Sequence, residues 1–322
     1  MTYSRMIGIG GYLPEKIITN DDLSKIMDTS DEWIQQRTGI KERRESEQGE
    51  FNFEMAKEAS LLALKRADIA PDMIDLIVVA TSTPDCTLPS TACLLQQALG
   101  IPVCPAFDIN AVCSGFVYAC VVADKFIKSG SAKCVLVVGS ERLTPLLDWT
   151  DRTSCILFGD GAGAAILQAS ETPGILQTSL GADGYKWDYI YAMNSLCHHE
   201  KDQFVKMQGR EVFKFAVQKV TQCIKSMLAD NYLSIDDIDW FVLHQANQRI
   251  NEMIAKQLGL PMEKLLSTIS HHANTSSASI PLLINASYEN GKIKNGDKLL
   301  CVGFGSGMTW GSMLLDYGKE EG

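Results

Sequence analysis

Apolar positions recur along the chain in two alternating rhythms. From Phe53 to Ala67 the spacing is helical, with Phe53, Ala56, Ala59, Ala63, Leu64 and Ala67 on one side. Ile74 to Ala80 is a continuous apolar run, broken only by Asp75 and rich in β-branched residues, which predicts a strand buried on both faces. Lys133 to Gly139 predicts a second such strand. Asp28-Thr29-Ser30-Asp31-Glu32-Trp33 reads as a helix start, with capping residues followed by acids near the positive helix end. Ala106 to Ile109 predicts a short strand. It breaks into a small-residue turn and then a helix through Tyr118, Val121, Val122 and Phe126.

The rhythm contains an echo. Ile74-Asp75-Leu76-Ile77-Val78-Val79 returns as Ile238-Asp239-Trp240-Phe241-Val242-Leu243, 164 residues on. The strand ending at Gly139 returns, at the same offset, as Leu299-Leu300-Cys301-Val302-Gly303. Both Ile-Asp strands follow a long amphipathic helix and a short polar loop. Two matches at one offset point to duplicated α/β halves. The expected division is 1–172 and 173–322, at Ser170-Glu171-Thr172-Pro173-Gly174.

Composition narrows the class. The chain has 322 residues, 46% apolar and 21% charged, enough for a large core. The Lys319-Glu320-Glu321-Gly322 tail has nothing to pack with. A net charge of −10 disfavours nucleic acid as a partner but leaves room for a local basic patch. Neither a signal peptide nor a membrane-spanning run is expected. The ten cysteines form no Cys-x-x-Cys pair, which suits free thiols in a reducing cytoplasm.

Three positions have chemical content. Cys113, in Asp108-Ile109-Asn110-Ala111-Val112-Cys113-Ser114-Gly115-Phe116, falls at a helix N-terminus, where unpaired N–H groups and the macrodipole favour a thiolate. Alone, such a cysteine is far more often a small buried hydrophobe. His244 stands at the C-terminal end of the repeated strand, where functional groups of α/β sheets collect. Asn274 lies in the small-residue loop His271 to Pro281, which leads into a helix, and can donate a fixed N–H to an oxyanion. Gly159-Asp160-Gly161-Ala162-Gly163-Ala164 fits a relaxed dinucleotide pattern, but a strand-like Ala165-Ile166-Leu167 follows it in place of a long helix. Gly303 to Gly311 permits sharp turns and close backbone approach. Cys197-His198-His199-Glu200 reads as a surface loop, because adjacent residues chelate one ion poorly. No metal site is expected.

Together these residues resemble the β-ketoacyl-acyl carrier protein synthase III family of the thiolase superfamily, over essentially the whole chain. The motifs that carry the resemblance are Asp31-Glu32-Trp33-Ile34 with Arg37-Thr38-Gly39-Ile40, Asn110 to Phe116, and Asp151-Arg152 leading to Phe158 to Gly163. They continue with Gly209-Arg210-Glu211-Val212-Phe213, His244-Gln245-Ala246-Asn247-Gln248-Arg249, Asn274-Thr275-Ser276, and Gly303 to Gly311. Asn274 matches the synthase III pattern, where elongating synthases have a second histidine. The resemblance implies a thiolase-like five-layer αβαβα homodimer of two pseudo-symmetric halves, located in the cytoplasm. It implies an acyltransferase that initiates fatty acid synthesis. An acyl-CoA primer, acetyl or somewhat longer, would acylate Cys113. Malonyl-acyl carrier protein would then lose CO₂ and attack, giving a 3-oxoacyl-acyl carrier protein.

The resemblance also implies roles. His244 and Asn274 would stabilise the enolate, and the backbone N–H groups of Cys113 and Ser306 would form the oxyanion hole. Ser306 and Ala273 stand where the family commonly has glycine. Trp33, Arg37, Arg152 and Asn247 would bind CoA, and no separate cofactor is implied. Lys214, Arg249 and Lys256 would dock the acidic carrier protein. Leu88 would reach the partner subunit's acyl pocket. Two alternatives stay open: a relative that condenses an alkylquinolone or polyketide starter, and a non-catalytic acyl-CoA-binding homologue. The joint presence of Cys113, His244 and Asn274 argues against the second.

Overall fold

The computed structural model describes residues 2–193 and 203–319. The Cys197–Glu200 cluster and tail residues Glu320 to Gly322 lie outside them. The first half runs β1 (Tyr3–Tyr12), α1 (Asp31–Thr38), α2 (Asn52–Ala67), β2 (Leu76–Ala80), α3 (Thr91–Leu99), β3 (Ala106–Ile109), α4 (Gly115–Lys128), β4 (Cys134–Glu141) and β5 (Gly161–Ser170). The second runs β6 (Ile175–Ala182), α5 (Gly209–Asp230), β7 (Trp240–Leu243), α6 (Gln248–Leu258), α7 (Ser279–Glu289), β8 (Lys298–Gly305) and β9 (Thr309–Asp316).

The halves repeat one plan. The first sheet has the order β1-β5-β4-β2-β3 and the second β6-β9-β8-β7. In each, one parallel pair (β2 with β4, β7 with β8) is continued by antiparallel strands. A parallel bridge from Phe241 to Leu265 stands where β3 pairs in the first sheet. Register repeats as well: Leu76 pairs with Val135, and Trp240 with Leu299. The Ile-Asp echo has a physical basis. The Asp75 carboxylate accepts from the N–H groups of Lys133 (2.8 Å) and Cys134 (3.1 Å), and Asp239 accepts from that of Lys298 (2.8 Å). Each aspartate pins the start of the neighbouring parallel strand.

Five layers follow from which side chains are buried. The outer helices α2 and α3 put Met55, Ala59 and Leu95 against one face of the first sheet. Central helices α4 and α7 put Phe116, Cys120, Leu283 and Ile284 between the two sheets. On the far side α5 and α6 put Val220, Ile224 and Ile254 against the second sheet. Phe53 departs from the expected side of α2; it is half-buried and stacks on Phe51, while Met55 takes the core position. No helix of the described residues is long and apolar enough to cross a membrane.

Backbone contacts bring the halves together at the strand ends. A Cβ on Gly139 would lie 2.4 Å from the Ser277 carbonyl oxygen. Its counterpart Gly303 approaches the Ser114 Cα, and Gly305 approaches the Cys113 nitrogen, where a Cβ would lie at 3.0 and 2.7 Å. The two 3-10 turns facing these glycines, Val112–Ser114 and Ser276–Ala278, are themselves 164 residues apart. Both are set by an asparagine. Asn110 Oδ1 accepts from Val112 N at 3.2 Å, and Asn274 Oδ1 from Ser276 N at 2.8 Å. Both hold a non-glycine residue at φ 48°, Val112 and Ser276. Ala273 (φ 56°, ψ −156°) and Met308 (φ 46°) add to the strain, so four of the six such residues among those described cluster here. Strain of this kind collects at functional sites.

Three variants test this picture by urea denaturation. Gly139→Ala is expected to destabilise by about 1–3 kcal/mol, because the added methyl meets backbone. Gly184→Ala, with open space around it, stays within about 0.5 kcal/mol. Ala273→Gly is expected to stabilise by about 1 kcal/mol. Relief of a strain of order 1–3 kcal/mol outweighs the roughly 0.5–1 kcal/mol of chain entropy that glycine loses.

Candidate active site

Cys113 lies in the turn between β3 and α4 and is 5% exposed. Burial pushes its thiol up to about 12. The Ser276 hydroxyl beside the sulfur pulls the other way, and the Glu141 carboxylate pushes upward. This corrects the expected thiolate. A helix N-terminus contributes about 0.3–1 kcal/mol to a nearby anion. One pKa unit corresponds to about 1.4 kcal/mol, so desolvation of a closed site outweighs the dipole.

His244 follows the last residue of β7, and its N–H donates to the Val302 carbonyl at 2.9 Å. It is 1% exposed, and burial pushes its imidazole down to about 3. The ring is therefore neutral. Its Nδ1 lies 2.6 Å from the hydroxyl of Ser279, the first residue of α7. When that hydroxyl donates to Nδ1, the ring proton sits on Nε2; when Nδ1–H donates to the hydroxyl, Nε2 is the acceptor end. Phe304 packs edge-on, with centroids 5.2 Å apart.

Asn274 is anchored through its backbone. Its N–H donates to the Leu157 carbonyl at 2.9 Å, and its own carbonyl accepts from Gly159 at 3.1 Å. Because Oδ1 is engaged by Ser276, the amide keeps Nδ2 as its available donor end. The glycine-rich stretch before β5 is a strut for this region. The buried Asp160 carboxylate accepts from Ser46 (N 2.9 Å, Oγ 2.7 Å) and Thr144 (N 2.9 Å, Oγ1 2.6 Å). The glycines of this stretch run into β5, not into a helix.

One cavity of about 610 Å³ collects most of the expected residues. Cys113, His244, Asn274 and Ser306 line it, with Trp33, Arg37, Arg152, Asn247, Lys214 and Arg249. Ser306 is outside the left-handed region, which Gly307 occupies (φ 68°), so serine strains nothing at 306. Its hydroxyl donates to the Ile190 carbonyl. The Arg37 and Arg152 guanidinium carbons lie 4.5 and 5.1 Å from the Trp33 ring centroid. Those are direct cation–π contacts, and Arg152 is held by Asp28. Asn247 caps α6, accepting from Arg249 N (2.9 Å) and donating to the Arg37 carbonyl (3.1 Å). Lys214 is exposed and paired with Glu211. Lys256 shares α6 with Arg249 but does not line the cavity. Leu88 does not line it either and is 84% exposed. No group of His, Cys, Asp or Glu that could hold a metal exists among the described residues. Sequence reasoning missed Ser279, Phe304 and Glu141; only tertiary contact relates them to the cavity.

Residues 107–184 match the family described as 3-oxoacyl-[acyl-carrier-protein] synthase III, and residues 228–317 match its C-terminal family. The β-ketoacyl-[acyl-carrier-protein] synthase III of Xanthomonas campestris pv. campestris is 52% identical over 320 residues, covering 98% of each chain. The 3-oxoacyl-[acyl-carrier-protein] synthase III of Aquifex aeolicus superposes with a TM-score of 0.93 at 45% identity, covering 98% of this chain and 100% of that one. The priming β-ketosynthase of the R1128 polyketide pathway superposes at 0.94 with 34% identity, over 99% and 97%. With a duplicated five-layer fold, a buried cysteine, histidine and asparagine on one cavity, and identity of this extent over the whole chain, the protein belongs to the β-ketoacyl-[acyl-carrier-protein] synthase III family of acyltransferases.

Proposed function

We propose that the chain joins an acyl-CoA primer to malonyl-acyl carrier protein in two stages, with Cys113 carrying the acyl group between them. One observation carries this reading: a thiol, a neutral imidazole and an amide donor share a cavity that also holds an aromatic ring flanked by two guanidinium groups. In the first stage Cys113 Sγ attacks the thioester carbonyl. The backbone N–H groups of Cys113 and Ser306 hold the oxyanion, and the bond to the CoA sulfur breaks. In the second stage the malonyl carboxylate leaves as CO₂. His244 Nε2–H and Asn274 Nδ2–H hold the enolate oxygen, the carbanion attacks the Cys113 thioester, and the cysteine sulfur departs. A neutral imidazole serves because the task is hydrogen-bond donation, not proton removal.

Trp33, Arg37, Arg152 and Asn247 bind the CoA portion. The direct contacts at Trp33 leave no gap for a purine, so an adenine stacked there displaces one guanidinium. Lys214, Arg249 and Lys256 form the local basic patch that an acidic carrier needs on a chain of net charge −10. The protein acts as a cytoplasmic homodimer of chains divided into halves 1–172 and 173–322. The nine described cysteines, all free, support that compartment, and the exposed Leu88 supports a partner subunit covering it. A starter condensation of a specialised pathway is the second reading, drawn from the priming β-ketosynthase; the higher identity to synthase III enzymes favours the first.

Mass measurement of the intact protein after incubation with acyl-CoA is expected to show one acyl group, mapped to Cys113. Cys113→Ala is expected to take none and to form no 3-oxoacyl product; unchanged condensation by that variant would sink the proposal. His244→Ala and Asn274→Ala each lose one donor and are expected to slow CO₂ release by about 10²–10³-fold while Cys113 still acylates. Because His244 stays neutral down to about pH 3, CO₂ release at saturating malonyl-acyl carrier protein is expected to lack an acidic limb near the ordinary histidine value of 6.5. In a series of acyl-CoAs, Leu88→Phe is expected to shorten the longest primer accepted; an unchanged length range would remove Leu88 from the acyl pocket.

A further inference from the structure

Beneath Cys113 lies a carboxylate that the two-stage reaction leaves without a task. Glu141 ends β4 and is fully buried. One of its oxygens, Oε2, accepts from Ser82 N (3.0 Å), Ser82 Oγ (2.9 Å) and Thr83 Oγ1 (2.7 Å). Its other oxygen, Oε1, accepts from the Ser276 hydroxyl at 3.0 Å. Those partners are hydroxyls and an N–H, not a cation, although a buried carboxylate is ordinarily paired with one. The turn that carries Ser276 packs against the Cys113 turn, and the Ser276 hydroxyl and the Glu141 charge both act on the Cys113 thiol. Ser276 is held at φ 48° in the turn packed against the Cys113 turn, its N–H fixed by Asn274. A serine that donates its one proton to a carboxylate turns its lone pairs to other donors, and a thiol is one.

We propose that Glu141, acting through the Ser276 hydroxyl, stores the Cys113 proton for as long as the acyl group is on sulfur. The inference rests on the two-stage reading. As Sγ attacks the thioester carbonyl, its S–H bond breaks and the proton passes to Ser276 Oγ. The Ser276 proton moves to Glu141 Oε1, and the carbonyl π pair moves to oxygen. When the intermediate collapses, the CoA sulfur leaves with the bonding pair and takes a proton from solvent. The acyl-enzyme then holds a neutral Glu141. After CO₂ is lost and the new C–C bond forms, the Cys113 sulfur leaves with its bonding pair and recovers the stored proton by the same path. The cycle balances, because decarboxylative condensation with release of CoA thiol consumes one proton overall. In this relay Ser276 meets the reacting sulfur, and Glu141 is a positioning residue that sets where the proton rests.

Proton counting separates this role from a structural one. The wild-type protein is mixed with acetyl-CoA alone in weak buffer near neutral pH, with an indicator dye, and acylated Cys113 is counted by intact mass. Uptake of one proton per acyl group is expected. Glu141→Gln is expected to take up none, since the Cys113 proton then goes to solvent or directly to CoA. Acylation by Glu141→Gln and by Ser276→Ala is expected to slow by about 10²–10³-fold, the usual range for positioned proton transfer. Full acylation of the wild-type protein without proton uptake would overturn the relay, even if neither variant folds. So would uptake and rate in Glu141→Gln equal to the wild type. A wild-type protein that takes no acyl group on Cys113 overturns the two-stage reading itself, and the mass measurement distinguishes that outcome.

Discussion

The site depends on backbone meeting backbone where the two sheets end. Gly139 lies on Ser277, and Gly303 and Gly305 lie on Cys113 and Ser114. Any Cβ at these glycines would force the turns apart. The approach does two things at once. It seats the Cys113 turn against the second half, and it seats the Asn274 turn against the first. The duplication therefore produces two related corners, and one of them holds the cysteine, histidine and asparagine that line the cavity. The counterpart of Cys113 is Ser277 and that of His244 is Ala80; these two are joined by a hydrogen bond of 2.9 Å from the Ser277 hydroxyl to the Ala80 carbonyl. The functional corner takes its cysteine from one half, and its histidine and asparagine from the other.

Closure sets the electrostatics. Desolvation disfavours charge of either sign, so it lifts Cys113 to about 12 and drops His244 to about 3. The resting pair is thiol and imidazole, not thiolate and imidazolium. In the proposed reaction charge develops only with substrate in place, where fixed donors would meet it: the Cys113 and Ser306 N–H groups, Asn274 Nδ2 and the histidine Nε2. Such donors are worth more in a dry cavity than in water. The strained backbone at Val112, Ala273, Ser276 and Met308 has the same origin, since the turns must aim these groups at one point.

Much of this was legible in the residues. Strands at 76–80 and 134–141 follow from apolar runs, and the short strand at 106–109 from its place before a small-residue turn. The 164-residue echo foretold the repeated sheet, and Asp75 and Asp239 are the echo's physical cause. Cys113, His244 and Asn274 stood out by their places at a turn, a strand end and a loop. Other features were not legible. Phe53 has the spacing of the α2 core side but sits at the helix start, where the sheet does not cover it. Ser279 and Glu141 have no local signal, because each matters only through a partner more than 30 residues away: His244 for one and Ser276 for the other.

The sequence by itself determined the alternation of helix and strand, the duplication and which candidate groups stand out, because periodicity and residue chemistry are local properties. Only the tertiary structure decided their ionisation and their company. A helix end argues for a thiolate through a dipole that acts over one turn, whereas the thiol results from the surrounding residues that exclude water. The Ser279 partner of His244, the Ser276–Glu141 pair under Cys113 and the convergence of both halves on one cavity come from contacts across the fold, which no stretch of chain encodes alone.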